Sequence, residues 1–240
     1  MIALIDYGMG NLGSVDKALR AVGCEVTITD EPAVLEEATG LVLPGVGAWD
    51  DCIGGLEEHG LVGPLKDLIA AGKPFLGICL GLQMLFDSSE EGVRPGLSLF
   101  PGRVVRFRHD LKIPQIGWNQ VMFQEDRLSS LCPQPDHRLS SLCPQPDHRL
   151  SSLCPQPDHR LPSLCPPHFA GVPDGSWFYF VHSYYVIPDD PSLIATTTEY
   201  GYEFCSAIWK DNVFACQYHP EKSQDVGLKV LENFKGLTEG

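Results

Sequence analysis

Apolar residues alternate along the first third of the chain between short runs and helical spacing. Residues 1–6 form an apolar run, after which Leu12, Val15, Leu19 and Val22 recur at helical intervals until Gly23. Residues 25–30 and 41–43 read as two more strands, and Leu61, Leu65, Leu68 and Ile69 outline a helix that stops at Gly72. After Pro74 come Phe75, Leu76 and Ile78, a buried strand, and then Leu80, Leu82, Met84, Leu85 and Phe86, the opening of a buried helix. Strands alternating with helices imply a parallel sheet joined by right-handed crossovers. Further on, residues 103–108 alternate charged and apolar positions, as a half-exposed strand does. Residues 118–123, 177–186, 193–200, 207–209 and 213–218 read as further strands, and this second half looks richer in antiparallel hairpins. The expected fold is α/β, with a mostly parallel central sheet flanked by helices and an antiparallel extension.

One stretch breaks the pattern. The unit Arg-Leu-Ser-Ser-Leu-Cys-Pro-Gln-Pro-Asp-His runs three times unchanged from Arg127, Arg138 and Arg149, and a degenerate copy follows from Arg160. An eleven-residue period can mark a supercoil, but two prolines per unit forbid a continuous helix. Two leucines and a cysteine per unit are too little apolar surface for a stacked solenoid. The pairs Cys132/His137, Cys143/His148 and Cys154/His159 invite a zinc reading, yet their spacing and flanking prolines fit no common site. The expectation is one domain over residues 1–240, interrupted by a Pro-rich, mostly disordered surface insertion at about 127–167.

The 240 residues suit a single domain. A formal net charge of −14 argues against a nucleic-acid or anionic-membrane surface, which needs clustered Lys and Arg. No apolar run approaches a membrane span, and the first residues lead straight into a strand without a signal peptide, so a cytoplasmic location is expected. Outside the repeat stand Cys24, Cys52, Cys79, Cys205 and Cys216, with no C-x-x-C pair, and thiols are expected rather than bridges.

One of those thiols sits in a special place. Gly77-Ile78-Cys79-Leu80-Gly81 is a G-x-nucleophile-x-G elbow with Cys in the middle, at a strand-to-helix joint. The positive end of the helix dipole there favours thiolate over thiol. A nucleophilic Cys needs a base, and the base needs a group to orient it. His219-Pro220-Glu221, after the strand at 213–218, offers both; Pro220 keeps His219 extended, so His219 and Glu221 can lie on one side. The strand at 41–43 ends in Pro44-Gly45-Val46-Gly47, whose backbone N–H groups could bind an oxyanion alongside that of Leu80. Gly8-Met9-Gly10-Asn11-Leu12-Gly13 is a literal G-x-G-x-x-G, followed by a strand ending in Asp30. The elbow and the His-Pro-Glu stretch favour a tight turn at the ligand-binding edge of the sheet over a dinucleotide site.

Together, the elbow and His219-Pro220-Glu221-Lys222-Ser223 resemble the class I (triad) glutamine amidotransferases, a flavodoxin-like fold. The stretches around Asp6 to Leu12, Pro101 to Phe107, Ile113 to Asn119 and Phe180 to Tyr185 are similar to the HisH family, glutaminase subunits of imidazole glycerol phosphate synthase in histidine biosynthesis. The likeness covers the chain apart from roughly residues 127–167. It implies Cys79 as nucleophile, His219 as base and Glu221 as its orienter, with Gly45, Val46, Gly47 and Leu80 around the oxyanion. By position in the family motif, Gln83, Glu91, Ser183 and Tyr184 should contact the amino-acid end of L-glutamine. Asn11, Trp118, Tyr179 and Lys222 match family positions that face the partner, the TIM-barrel cyclase HisF, in a heterodimer. No cofactor and no metal are implied. Two other readings remain open: another amidotransferase subunit or Cys hydrolase of similar fold, such as that of anthranilate or pyridoxal phosphate synthase, and a non-catalytic flavodoxin-like binding protein.

Overall fold

The computed structural model describes residues 1–123 and 166–239. The insertion, with its repeats and Cys/His pairs, lies outside the described residues except for its last two positions. Five strands form a parallel array in the order β2 (Val26–Thr29), β1 (Ile2–Ile5), β3 (Gly40–Gly45), β4 (Phe75–Cys79) and β12 (Val213–Cys216). The sheet then turns antiparallel through β11 (Glu203–Lys210), β10 (Ile194–Glu199), β7 (Gln115–Phe123) and β8 (Ser176–His182). β9 (Tyr184–Pro188) touches β11 at Val186 and Cys205, and pairs with β6 (Gly102–Arg106), beside which the short β5 (Ser88–Ser89) runs parallel.

Helices cover both faces of the parallel half. On one side α2 (Pro32–Glu37), α3 (Trp49–Glu58) and α4 (Val62–Ala70) pack Leu35, Trp49, Leu56 and Leu65 against Ala3, Ile5, Leu41 and Leu43. On the other, α1 (Leu12–Ala21) and α6 (Gln224–Thr238) bring Val15, Leu19, Val230, Leu231 and Phe234 onto Leu4, Val42, Leu76 and Phe214. Side chains that point alternately up and down from each strand therefore feed two separate cores. Burying each large apolar side chain contributes about 1.5–3 kcal/mol.

Several sequence readings shift in detail. The helix after the elbow is only α5 (Leu80–Gln83), although every residue from Leu80 to Phe86 is buried. Its chain tightens instead through Leu85 N–H to Leu82 O and Phe86 N–H to Gln83 O. The single strand expected over 177–186 is two, broken at Ser183, whose carbonyl accepts from Phe107 N–H at 3.0 Å. The glycine-rich turn after β1 packs onto the end of β3. A Cβ on Gly10 would lie 3.4 Å from the Pro44 ring, and one on Gly47 2.8 Å from the Met9 methyl.

Candidate active site

β3, β4 and β12 are neighbours and parallel, so their carboxyl ends deliver Gly45, Cys79 and the loop after Cys216 to one edge of the sheet. Cys79 adopts φ 57° and ψ −108°, a left-handed conformation that costs a non-glycine residue on the order of 1–3 kcal/mol. Its neighbours make the sharp turn possible. A Cβ on Gly81 would overlap the Leu43 carbonyl, one on Gly77 would lie 2.7 Å from the Gly81 carbonyl, and one on Gly45 2.5 Å from Leu80 Cβ. The Cys79 Sγ is held between the Val181 carbonyl at 4.0 Å and the side-chain amide of Gln217, whose Nε2 lies at 3.6 Å.

His219 leads into a 3-10 turn over Pro220–Lys222, with φ −103° and ψ 93°. Its Nδ1 lies 2.8 Å from Glu221 Oε1, and the two side chains are only 2% and 1% exposed. Nδ1–H therefore donates to the carboxylate, and Nε2, which has no hydrogen-bond partner, is left for proton transfer. Burial by itself would lower the imidazole, but an anion at Cys79 and the Glu221 carboxylate outweigh it and raise the group to about 10. The loop is pinned to β8. His219 N–H donates to Tyr179 O at 2.9 Å, Tyr179 N–H to Ser223 Oγ at 3.0 Å, and the Ser223 hydroxyl back to His219 O at 2.6 Å.

A cavity of about 260 Å³ opens between these elements. It equals roughly nine waters at ~30 Å³ each, room enough for one free amino acid. Cys79, His219, Val46, Gly47 and Leu80 line it, as do Gln83, Glu91, Ser183 and Tyr184. Gly45 lies beneath the lining, pressed on Leu80, and Glu221 stands behind His219. Gln83 Nε2 donates to Tyr184 O and to Gln217 Oε1, each at 3.0 Å. Glu91 accepts from Trp49 N–H at 3.1 Å; burial pushes its carboxyl up, and that N–H pulls the other way. The sequence reading missed four contributors. His182 lines the cavity, its Nδ1 2.8 Å from the Tyr184 carbonyl, and Gln217 touches the sulfur. Beneath the glycine turn, Tyr7 O–H donates to Pro44 O at 2.7 Å and Cys52 Sγ lies 3.8 Å from Val46 O.

Of the four residues expected at a partner surface, three adjoin one another. Trp118 meets Tyr179 edge to face at 6.1 Å, Lys222 Nζ sits 5.8 Å from the same ring, and that ring is 6.5 Å from His219. Asn11 caps α1, its side-chain oxygen accepting from Ser14 N–H. Around Trp118, the β7–β8 pair also exposes Ile116, Met122 and Trp177. Among the described residues no group of three or more His, Cys, Asp and Glu could hold a metal, and no helix is long and apolar enough to cross a membrane.

A doubly flanked, mostly parallel sheet with an elbow thiol and a carboxylate-held imidazole at its edge is the architecture of the triad amidotransferases. The profile described as "Glutamine amidotransferase class-I" matches residues 3–235, and the chain belongs to that family. Its relatives narrow the branch to the HisH subunits. It is 46% identical to the "Imidazole glycerol phosphate synthase subunit HisH" of Syntrophotalea carbinolica over 242 aligned residues, covering 98% of each chain. It is 46% identical to that of Geobacter sulfurreducens, with 97% of each covered, and 43% identical to that of Moorella thermoacetica, with 98% and 94% covered. The fold is also that of "PurLQS from Thermotoga maritima", with TM-score 0.66, 15% identity and 98% and 97% coverage.

Proposed function

We propose that the chain is the glutaminase subunit of imidazole glycerol phosphate synthase, with Cys79, His219 and Glu221 as its triad. One observation carries the site assignment. The buried His219–Glu221 pair and Cys79 share one amino-acid-sized cavity, in a chain similar to HisH subunits over nearly its whole length. Cys79 passes its proton to His219 Nε2 and attacks the side-chain carboxamide carbon of L-glutamine, and the carbonyl oxygen becomes an oxyanion held by backbone N–H groups around Gly45 to Gly47 and at Leu80. One such donor is worth about 10²–10³ in rate. His219, protonated at Nε2, gives that proton to the departing nitrogen, and ammonia leaves a glutamyl thioester on Cys79. His219 then takes a proton from water, the hydroxide adds to the thioester, and glutamate leaves as the thiol re-forms. Glu221 keeps the imidazole in the required orientation throughout. Gln83, Glu91, Ser183 and Tyr184 surround the amino-acid end of the substrate.

Ammonia freed into neutral water is mostly protonated and no longer nucleophilic, so it has to be consumed where it is made. The consumer is a cyclase of the HisF type, which builds imidazole glycerol phosphate and an aminoimidazole carboxamide ribotide. The patch of Trp118, Tyr179 and Lys222, with Asn11 nearby in the fold's loop edge, faces that partner in a cytoplasmic heterodimer. The test is glutamate release by the chain alone, with the cyclase, and with the cyclase plus its nucleotide ligand. Turnover rises by orders of magnitude in the full assembly. Equal turnover in all three would overturn the coupling, and none in any would overturn the activity.

A further inference from the structure

A buried chain of amides leads from the substrate cavity to the nucleophile. The Tyr184 carbonyl can only accept, so Gln83 presents its amide nitrogen there, at 3.0 Å. The second hydrogen on that nitrogen meets Gln217 Oε1, again at 3.0 Å. With its oxygen so engaged, Gln217 turns its own nitrogen toward Cys79 Sγ, at 3.6 Å. Neither side chain has room to reorient: Gln83 is 3% exposed and Gln217 not at all. Gln217 is also anchored through its backbone, whose N–H donates to Ser206 O at 2.8 Å.

We infer that Gln217 is a catalytic residue, which donates a hydrogen bond to the Cys79 sulfur and favours its anionic form, and that Gln83 is the positioning residue that aims it. The two neighbours of the sulfur divide the work by protonation state. The thiol can give its hydrogen to the Val181 carbonyl; the thiolate has no use for that oxygen and accepts from Gln217 instead. A donor aimed at sulfur lowers the energy of the anion that attacks and of the one that later leaves. The same bond withdraws when the sulfur becomes a thioester, so it acts on the nucleophile and on the leaving thiolate alike. The assignment rests on the proposed role of Cys79, and it adds a chemical duty to two glutamines, one of which the sequence placed only at the substrate.

The test is alkylation of Cys79 by iodoacetamide in the full chain, read on the Cys79 peptide by mass spectrometry so that the other thiols do not contribute. A hydrogen bond to a charged group predicts roughly ten- to a hundredfold slower labelling at neutral pH in Gln217→Met, the deficit narrowing as the pH is raised. Gln83→Leu slows labelling in the same direction, through Gln217. Gln217→Glu keeps the shape of the side chain but replaces the donor nitrogen with a carboxylate oxygen; it slows labelling as well, and serves if the methionine variant fails to fold. In the glutaminase assay with the cyclase, Gln217→Met lowers kcat while KM stays within about twofold. Labelling of the folded Gln217 variants at the wild-type rate would overturn the inference. Because the reagent is not glutamine, that result is distinct from failure of the functional reading, which shows as full glutaminase activity in Cys79→Ala.

Discussion

Replacing Gly45 by alanine tests how closely the turn proposed to hold the oxyanion is built onto the elbow. A Cβ at this position would lie 2.5 Å from Leu80 Cβ, 2.8 Å from the Gly81 amide nitrogen and 3.0 Å from the Leu80 carbonyl carbon. Ordinary contacts between such atoms are about 3.5–4.0 Å, so β3 and the elbow must separate by about 1 Å. Two of the three obstructing atoms are backbone, and the third begins a side chain buried at 5% exposure, so no rotamer change relieves the overlap. Overpacking of this kind costs about 1–3 kcal/mol, and for a chain of this size each kcal/mol lowers Tm by roughly 2–4 °C. The larger effect falls on catalysis. A displacement of ~1 Å between nucleophile and oxyanion donors costs about a hundredfold in rate, so Gly45→Ala should retain a cooperative melt and lose glutamine turnover about a hundredfold. Circular dichroism melting and glutamate release, both with the cyclase present, give the two numbers. A variant with wild-type Tm and turnover would show that this packing is not what positions the oxyanion site.

Cys79→Ala abolishes glutamine-dependent synthesis while synthesis from added ammonia persists; retention of glutamine use would remove Cys79 from the mechanism. In the same variant His219 loses an anion that raises it to about 10, so its NMR titration midpoint falls by at least about one unit. Since the folded value lies above the ordinary one of ~6.5, this group's stabilisation is complete below ~6.5 and disappears as the pH rises through about 10. The variant therefore loses less stability over that interval than the wild type; equal alkaline slopes would contradict the coupling. His168 behaves in the opposite sense: burial holds it at about 3, and its stabilisation, present above ~6.5, disappears as the pH falls through about 3. His168→Phe, which keeps a flat ring on Phe214, should have a shallower acid loss of Tm, and an unchanged slope would refute the assignment. Deleting residues 127–159 should leave melting and glutaminase activity intact, because β7 and β8 pair along their length and Phe123 N–H is held by Asp174 at 2.7 Å. Loss of partner-stimulated turnover at unchanged Tm would assign the repeat a role at the cyclase.

What could be read in the sequence was local chemistry. Gly77, Cys79 and Gly81 lie within one turn, and Pro220 sets the geometry of the two residues beside it, so the proposed nucleophile and base were legible as candidates before any fold was known. Gln217 was not visible in the same way: one polar residue among Ala215, Cys216 and Tyr218 reads as a strand position, and its meaning depends on Gln83 reaching across from another element. Ser223 had the same disadvantage, since the amide it serves belongs to Tyr179, on a different strand. Helix α3 was hidden for a different reason. Trp49, Cys52, Ile53 and Leu56 do recur at helical spacing, but Gly54 and Gly55 interrupt the signal. Gly55 is needed where it stands, because a Cβ there would overlap the Tyr7 carbonyl.

Among the described residues β8 is the last strand of its sheet, and a terminal strand normally leaves a row of peptide groups open to any extended chain that drifts past. Here the loop carrying His219 occupies that margin: Tyr179 spends its amide on Ser223 and its carbonyl on His219. The bonds that hold the imidazole in place thus also guard the molecule against sticking to itself. Ser223→Ala would loosen both at once, and precipitation on storage would accompany the loss of turnover. One hydroxyl, that of Ser223, thus serves both the placement of His219 and the cover of the strand margin.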